Sequence, residues 1–127
     1  MPIDHVNIPV VDLAGSKTFY AAALAPIGYS LVYESDSSLG FGMGGDGGDE
    51  DEPFAVRLEG EPTLPSHIAF TATSTSQVDA FHAAALAAGG RDNGAPGERP
   101  YGEYYYAAFV LDPDGHNIEA VFHGPRA

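Results

Sequence analysis

Shifted by 62 residues against itself, the chain places His5 on His67. Without a gap it then places Phe19 on Phe81, Ala21 to Ala25 on Ala83 to Ala87, and Gly28 on Gly90. Eight of the 24 positions from 5 to 28 match, and five of those fall in one alanine-rich stretch. The histidine, the phenylalanine and the glycine after each helical run are therefore the informative matches. Such a period is too long for a solenoid unit, and half of a 127-residue chain is small to fold alone. The expectation is one domain over residues 1–127, made of two similar modules (about 1–62 and 63–127) with a common core. Each module then offers a histidine at the same structural place.

Periodicity supports this division. Val6, Ile8 and Val10 alternate with His5, Asn7 and Pro9, which predicts a half-buried strand with its histidine on the more polar face. Asp12 is placed to cap a helix whose Leu13, Ser16, Tyr20, Ala23, Leu24 and Ile27 keep helical spacing up to Gly28. Strands are expected at 29–34, 39–43 and 54–59. The acidic, glycine-rich run 44–52 reads as a mobile hairpin loop. In the second half, residues 66–73 alternate, with Ile68, Phe70 and Ala72 opposite His67, Ala69 and Thr71. Ser74 or Thr75 can cap a helix with the stripe Val78, Phe81, His82, Ala85 and Leu86, stopped by Gly89-Gly90. Residues 91–102 are turn-rich, with room for one short strand. Residues 104–111 read as a strand, Asp112-Pro-Asp-Gly115 as a turn, and 117–122 as the returning strand. The order is strand–helix–three strands, twice: an α+β fold.

Charge and composition exclude several function classes. The net charge is −13, with only Lys17, Arg57, Arg91, Arg99 and Arg126 positive. Such a surface repels nucleic acid and anionic membranes, and is open to a cationic ligand. There is no cysteine, so disulfides and thiolate ligands are out. No apolar run approaches the ~20 residues of a membrane span, and the start is neither basic nor apolar. A cytoplasmic location is expected.

The last strand puts Glu119, Val121 and His123 on one face and Ile118, Ala120 and Phe122 on the other. If the apolar faces of all three histidine- or glutamate-bearing strands meet helices, His5, His67 and Glu119 face together on the opposite side. Two imidazoles and a carboxylate with open positions suit a catalytic divalent metal: iron(II), manganese, zinc, nickel or magnesium. His82, His116 and His123 read as surface or structural side chains, His116 in a turn and His123 near a strand end. Carried back by 62 residues, Glu119 falls on Arg57, which can pair with an anionic substrate or with Glu119 itself. Glu59, on the same strand face, becomes the fourth-ligand candidate if the register slips by two. The consecutive Tyr104, Tyr105 and Tyr106 must point to both faces. Parity leaves open whether Tyr105 with Phe109, or Tyr104 with Tyr106, lines the cavity.

Three segments carry a family resemblance. The opening Ile-Asp-His5-Val-Asn-Ile-Pro-Val, the internal His67-Ile-Ala-Phe70 and the ending Leu111-Asp-Pro-Asp-Gly-His-Asn-Ile-Glu119 resemble the glyoxalase/bleomycin-resistance/dioxygenase superfamily, the vicinal oxygen chelate fold. The resemblance implies paired βαβββ modules forming a cup-shaped mixed sheet with helices on its outer face. It also implies a homodimer whose partner helps complete the site, and His5, His67 and Glu119 as metal ligands. Similarity to the fosfomycin-resistance thiol transferases implies that Tyr105 and Phe109 face the cavity. The implied function is a metal-dependent enzyme acting on a small oxygen-rich substrate, with Glu119 and Tyr105 as candidate proton-transfer groups and Arg57, Tyr105 and Phe109 against the substrate. Lyase, isomerase, thiol-transfer and ring-cleaving chemistry all fall within it. The competing reading is a metal-free drug-sequestering protein of the bleomycin-resistance type.

Overall fold

A computed structural model describes residues 4–43, 53–60 and 64–125. The first half runs β1 (Val6–Val10), α1 (Leu13–Leu24), a 3-10 turn (Ala25–Ile27), β2 (Ser30–Glu34), β3 (Ser38–Gly42) and β4 (Phe54–Leu58). The second runs β5 (His67–Thr71), α2 (Thr75–Ala87), β6 (Arg91–Glu98), β7 (Tyr105–Leu111) and β8 (Asn117–His123). Each half forms its own four-stranded mixed sheet, in the orders β1-β4-β3-β2 and β5-β8-β7-β6. In both, the first strand lies parallel to the last and occupies a sheet edge. The run 44–52, expected to be a mobile loop, lies outside the described residues.

Both helices start as the sequence predicts. The Asp12 side chain accepts from Ala14 N–H, and the Ser74 side chain accepts from Gln77 N–H, so each helix has one orphan donor satisfied. The buried stripe of α1 is Ser16, Phe19, Tyr20, Ala23 and Leu24. That of α2 is narrower than expected, namely Val78, Phe81 and Ala85, with Leu86 at 36% exposure. The matched glycines after the helices serve different ends. Gly28 sits at φ 98°, a left-handed cap. Gly90 is there for space: an added Cβ would lie 2.5 Å from Val110 Cγ1 and 2.6 Å from Phe19 Cε1. The left-handed residue directly after α2 is its neighbour Gly89, at φ 103°.

A common core draws on both halves, with Phe54 edge-on to Phe70 and α1 packed against α2. A polar clip closes the junction. The buried Asp112 carboxylate accepts from the Tyr20 hydroxyl (2.6 Å), the Asp114 N–H (2.9 Å) and the His116 N–H (2.8 Å). His116, fully buried, accepts from Ser66 N–H at Nδ1 and donates from Nε2 to the Pro9 carbonyl. Asp114 accepts from Val11 N–H. The Asp112–His116 turn therefore joins β1 and α1 of one half to the start of β5 in the other. Burial and the Asp112 charge hold the Tyr20 phenol well above its ordinary range, so it stays a donor.

The segment 91–102 departs from expectation: it holds an eight-residue strand rather than a short one. Its pairing with β7 slips between Asp92 and Gly94 and again between Gly94 and Gly97. Two bulges in a Gly- and Pro-containing stretch erase the alternation that marks a strand in sequence. Among the described residues, no helix is long and apolar enough to cross a membrane.

Candidate functional site

Strands β5, β7 and β8 bring the chemistry of the second half together. Their ladders pair Ala69 with Glu119 and Phe109 with Glu119, so Glu119 sits between its two neighbours in the sheet. Ile118 and Ala120 enter the core under the helices, which turns Glu119 to the other face. Its side chain is nonetheless only 2% exposed. Glu119 Oε1 lies 3.0 Å from His67 Nε2, and Oε2 accepts from the Tyr105 hydroxyl at 2.5 Å. The Phe109 ring stacks on the His67 imidazole, with centroids 6.1 Å apart. The tyrosine parity is thereby settled. Tyr105 and Phe109 share the Glu119 face, while Tyr106 reaches across to Asp79 on α2.

The protonation pattern of this cluster is constrained. His67 Nδ1 is 3.1 Å from the Asn117 carbonyl, which only accepts, so Nδ1 carries a hydrogen. In the neutral ring the Nε2 lone pair then faces Glu119 Oε1. Two lone pairs do not rest against one another at 3.0 Å; a proton or a cation joins them. An imidazole whose second nitrogen is tied to a backbone carbonyl, beside a carboxylate held by a phenol, is an arrangement able to orient both groups toward a cation. Burial, the hydrogen bond to Glu119 and its negative charge together push the Tyr105 phenol up to about 12, partly offset by Arg99. Tyr105 is therefore a proton donor across the ordinary pH range.

His5 does not join this cluster within one chain. It is exposed in the other half, next to the sheet-edge strand β1, with Nδ1 2.7 Å from Asp4 Oδ1. Among the described residues, no three His, Asp or Glu side chains converge closely enough to hold a metal ion. The donors fit a divalent cation in kind, but one chain supplies two of them. The ladders identify the counterpart of Glu119 in the first half. In the first half β1 pairs with β4 at an offset of 48 residues (Asn7 with Ala55), and in the second β5 pairs with β8 at an offset of 50 (Ala69 with Glu119). The counterpart of Glu119 is thus Ala55, not Arg57 and not Glu59. Those two are exposed and pair with each other at 3.0 Å.

A cleft of about 310 Å³ adjoins the His67–Glu119 pair, lined by Asn93, Gly94, Arg99, Tyr101, Phe109 and Asn117. Apart from Phe109, none of these is legible as a site residue in the sequence. Asn117 was findable, since it shares alternation parity with Glu119; Asn93 and Arg99 lie in the segment whose bulges hide its strand. His123 packs edge-on to Tyr105 and is exposed, and His82 pairs with Asp92 at 2.9 Å, away from the site.

Comparison with known proteins agrees with this geometry. Residues 2–120 match the family model of the Glyoxalase/Bleomycin resistance protein/Dioxygenase superfamily. Among solved structures, a glyoxalase/bleomycin resistance protein from Albidiferax ferrireducens is 31% identical, with a TM-score of 0.81, over 98% of this chain and 100% of that one. A glyoxalase-related enzyme from Fulvimarina pelagi is 20% identical (TM-score 0.73; 94% and 86% covered). A mutant fosfomycin resistance protein FosX from Listeria monocytogenes, solved with Mn(II) and 1S,2S-dihydroxypropylphosphonic acid, is 19% identical (TM-score 0.67; 93% and 86% covered). Comparison with curated proteins gives no match.

Proposed function

The chain belongs to the glyoxalase/bleomycin resistance protein/dioxygenase superfamily, and from that premise we propose that it is a divalent-metal-dependent enzyme acting on a small oxygen-rich substrate. The observation that carries this reading is the buried Glu119 carboxylate 3.0 Å from His67 Nε2, each held from behind by its own hydrogen bond. His67 and Glu119 are two ligands, and His5 of a second copy of the chain is the third. Two features favour that assembly. The His5 and His67 side chains are both exposed at edge strands, and an uncovered edge is a ready site for pairing with another chain. The homodimer is thus part of the proposal, with each site shared between copies.

A bound cation supplies positive charge that draws in paired substrate oxygens and stabilises negative charge developing on them. The residues of the chain do the rest. Tyr105 keeps Glu119 oriented by donating to Oε2, which leaves Oε1, the oxygen beside His67 Nε2, for ligation or proton transfer. Phe109 covers the His67 ring and gives the cleft an apolar wall. Proton transfer to and from the substrate falls to the hydrogen-bonded Glu119–Tyr105 pair. The reaction is of the lyase, isomerase, thiol-transfer or ring-cleaving kind.

Metal analysis of protein purified without a histidine tag tests this. Manganese or zinc should bind at one ion per chain, and be lost in His5→Ala, His67→Ala and Glu119→Ala while the circular dichroism spectrum is retained. Mixing the His5→Ala and Glu119→Ala proteins should restore one intact site in each mixed dimer, about a quarter of all sites after random exchange. Failure of the mixture to regain metal would remove the shared site. Metal-free wild-type protein that binds a basic drug would instead establish the sequestering function.

A further inference from the structure

The cations of this acidic chain are unequally engaged. Lys17 pairs with Glu34 and Arg57 with Glu59, both at the exposed surface. Arg99 lines the cleft beside the His67–Glu119 pair, and among the described residues no carboxylate lies within ion-pair distance of it. Its guanidinium is not loose. Nη2 donates to the Ala95 carbonyl at 2.7 Å and Nη1 to the Glu98 carbonyl at 3.3 Å, and Cζ stands 5.4 Å above the Phe109 ring centroid. Two glycines of β6 clear its seat. A Cβ at Gly94 would lie 2.9 Å from Phe109 Cδ1 and 3.1 Å from Arg99 Nη2, and a Cβ at Gly97 would lie 3.2 Å from Arg99 Nη1. Five N–H donors on a planar fork, two of them bonded to backbone carbonyls, leave donors for a ligand in the cleft.

A cation held by neutral carbonyls and an aromatic face keeps its charge uncompensated, and a preorganised guanidinium matches two oxygens of an anion better than any other side chain. The Asn93 carboxamide, bonded to the Asn117 carboxamide at 3.2 Å, adds neutral donors and acceptors to the same cleft without cancelling that charge. We propose that Arg99 is the anion-recognition residue of this cleft, and that the substrate carries an oxyanion group, a carboxylate or a phosphonate, beside the oxygens directed at His67 and Glu119. This replaces Arg57 in the role expected of it from sequence. It rests on the reading of the His67–Glu119 pair given above, and narrows the substrate to a small anion despite the net charge of −13.

The test compares glycolate with glycolamide, two probes of nearly the same shape that differ in charge, by NMR titration of metal-free and Mn(II)-loaded protein. Glycolate should bind the wild type at least tenfold more tightly than glycolamide, with shifts at the Arg99 Nε–H and the Gly94 and Asn117 amides in the metal-free protein. The preference should vanish in Arg99→Gln, persist in Arg99→Lys and Arg57→Gln, and weaken in Gly97→Ala, where the charge remains but its seat is crowded. Methylphosphonate against acetate then separates the two kinds of anion. Equal affinity for glycolate and glycolamide in the wild type, or a preference that survives Arg99→Gln, overturns the assignment. Mn(II) affinity, read separately by water-proton relaxation, should not change in Arg99→Gln. Loss of Mn(II) binding by the wild type itself would strike the metal reading, while the metal-free titration still decides the role of Arg99.

Discussion

At the centre of the first sheet, the residues turned away from the helices are Gly40 and Ala55, paired across β3 and β4. The same ladder positions of the second sheet hold Phe109 and Glu119. On the helix side the two halves agree: Leu39, Phe41, Phe54 and Val56 correspond to Ala108, Val110, Ile118 and Ala120, all essentially buried. The fold thus constrains one face of each sheet and leaves the other free. The second half has used that freedom for a carboxylate, a phenol and an aromatic wall, and the first half has kept it small. A face floored by glycine and alanine beside an exposed histidine is suited to receive another surface rather than to build a site alone.

The Asp112–His116 turn clips the two halves together, and breaking it should give the largest effect. Asp112→Ala strips the acceptor from the buried Tyr20 hydroxyl and from two backbone N–H groups at once. Leaving such donors unmatched should cost roughly 3–5 kcal/mol in urea unfolding. Tyr20→Phe alone should cost ~1–2 kcal/mol, and the double variant less than the sum, because both remove one bond. Strict additivity would mean that the two halves are not clipped through this pair.

A second change sharpens the comparison by making the halves alike. Ala55→Glu places a carboxylate at the ladder position that matches Glu119, whereas Arg57→Glu places it two residues away on the same face. If sites are shared between copies, the first should add a fourth ligand and raise Mn(II) affinity by roughly tenfold, equivalent to about 1.4 kcal/mol. The second should leave it unchanged. Isothermal titration of both variants decides between the observed register and a plain 62-residue match.

Tyr105→Phe removes the phenol that holds Glu119 on the second sheet. The loss should be ~1–2 kcal/mol, since Glu119 keeps its burial but gives up a donor. The pH dependence carries a sign. A phenol whose folded value is raised to about 12 contributes its full stability below its ordinary range near ~10 and loses it as pH rises through the folded value. The stability gap between wild type and Tyr105→Phe should therefore be flat from neutral pH upward and narrow only above ~10. A gap that widens with alkali would show the phenolate, not the phenol, to be the bound form.

Much of this arrangement was legible in the sequence, and the misses share a cause. The caps at Asp12 and Ser74, the matched strands at His5 and His67, and the Asp112 turn are local signals, and each appears where periodicity puts it. Glu119 beside His67 followed from alternation plus the turn. What failed was anything that depends on register between strands. The two-residue difference between the β1–β4 and β5–β8 offsets moves the counterpart of Glu119 from Arg57 to Ala55, and no local pattern records it. The bulges of β6 likewise hid the strand bearing Asn93 and the loop bearing Arg99. His5 does not meet His67 and Glu119 within one chain because the two sheets are separate, a fact of module packing that a one-dimensional repeat does not carry.

The smallest predicted effect concerns a mismatch on the otherwise shared helix face. Ser16 stands in α1 where Val78 stands in α2; both are buried, and among the described residues the Ser16 hydroxyl is the one buried side-chain polar atom without a hydrogen-bond partner. A polar group taken from water with no partner is a net cost, and serine is also a poorer helix former than alanine. Ser16→Ala should therefore raise stability by roughly 0.5–1 kcal/mol, a small increase in the urea midpoint with an unchanged slope. The methyl keeps the volume nearly constant, so no cavity term opposes the gain. Were Ser16→Ala to lose stability instead, the hydroxyl would have to be bonded to the preceding helical turn, and the two helices would then differ in backbone hydrogen bonding as well as in side chains.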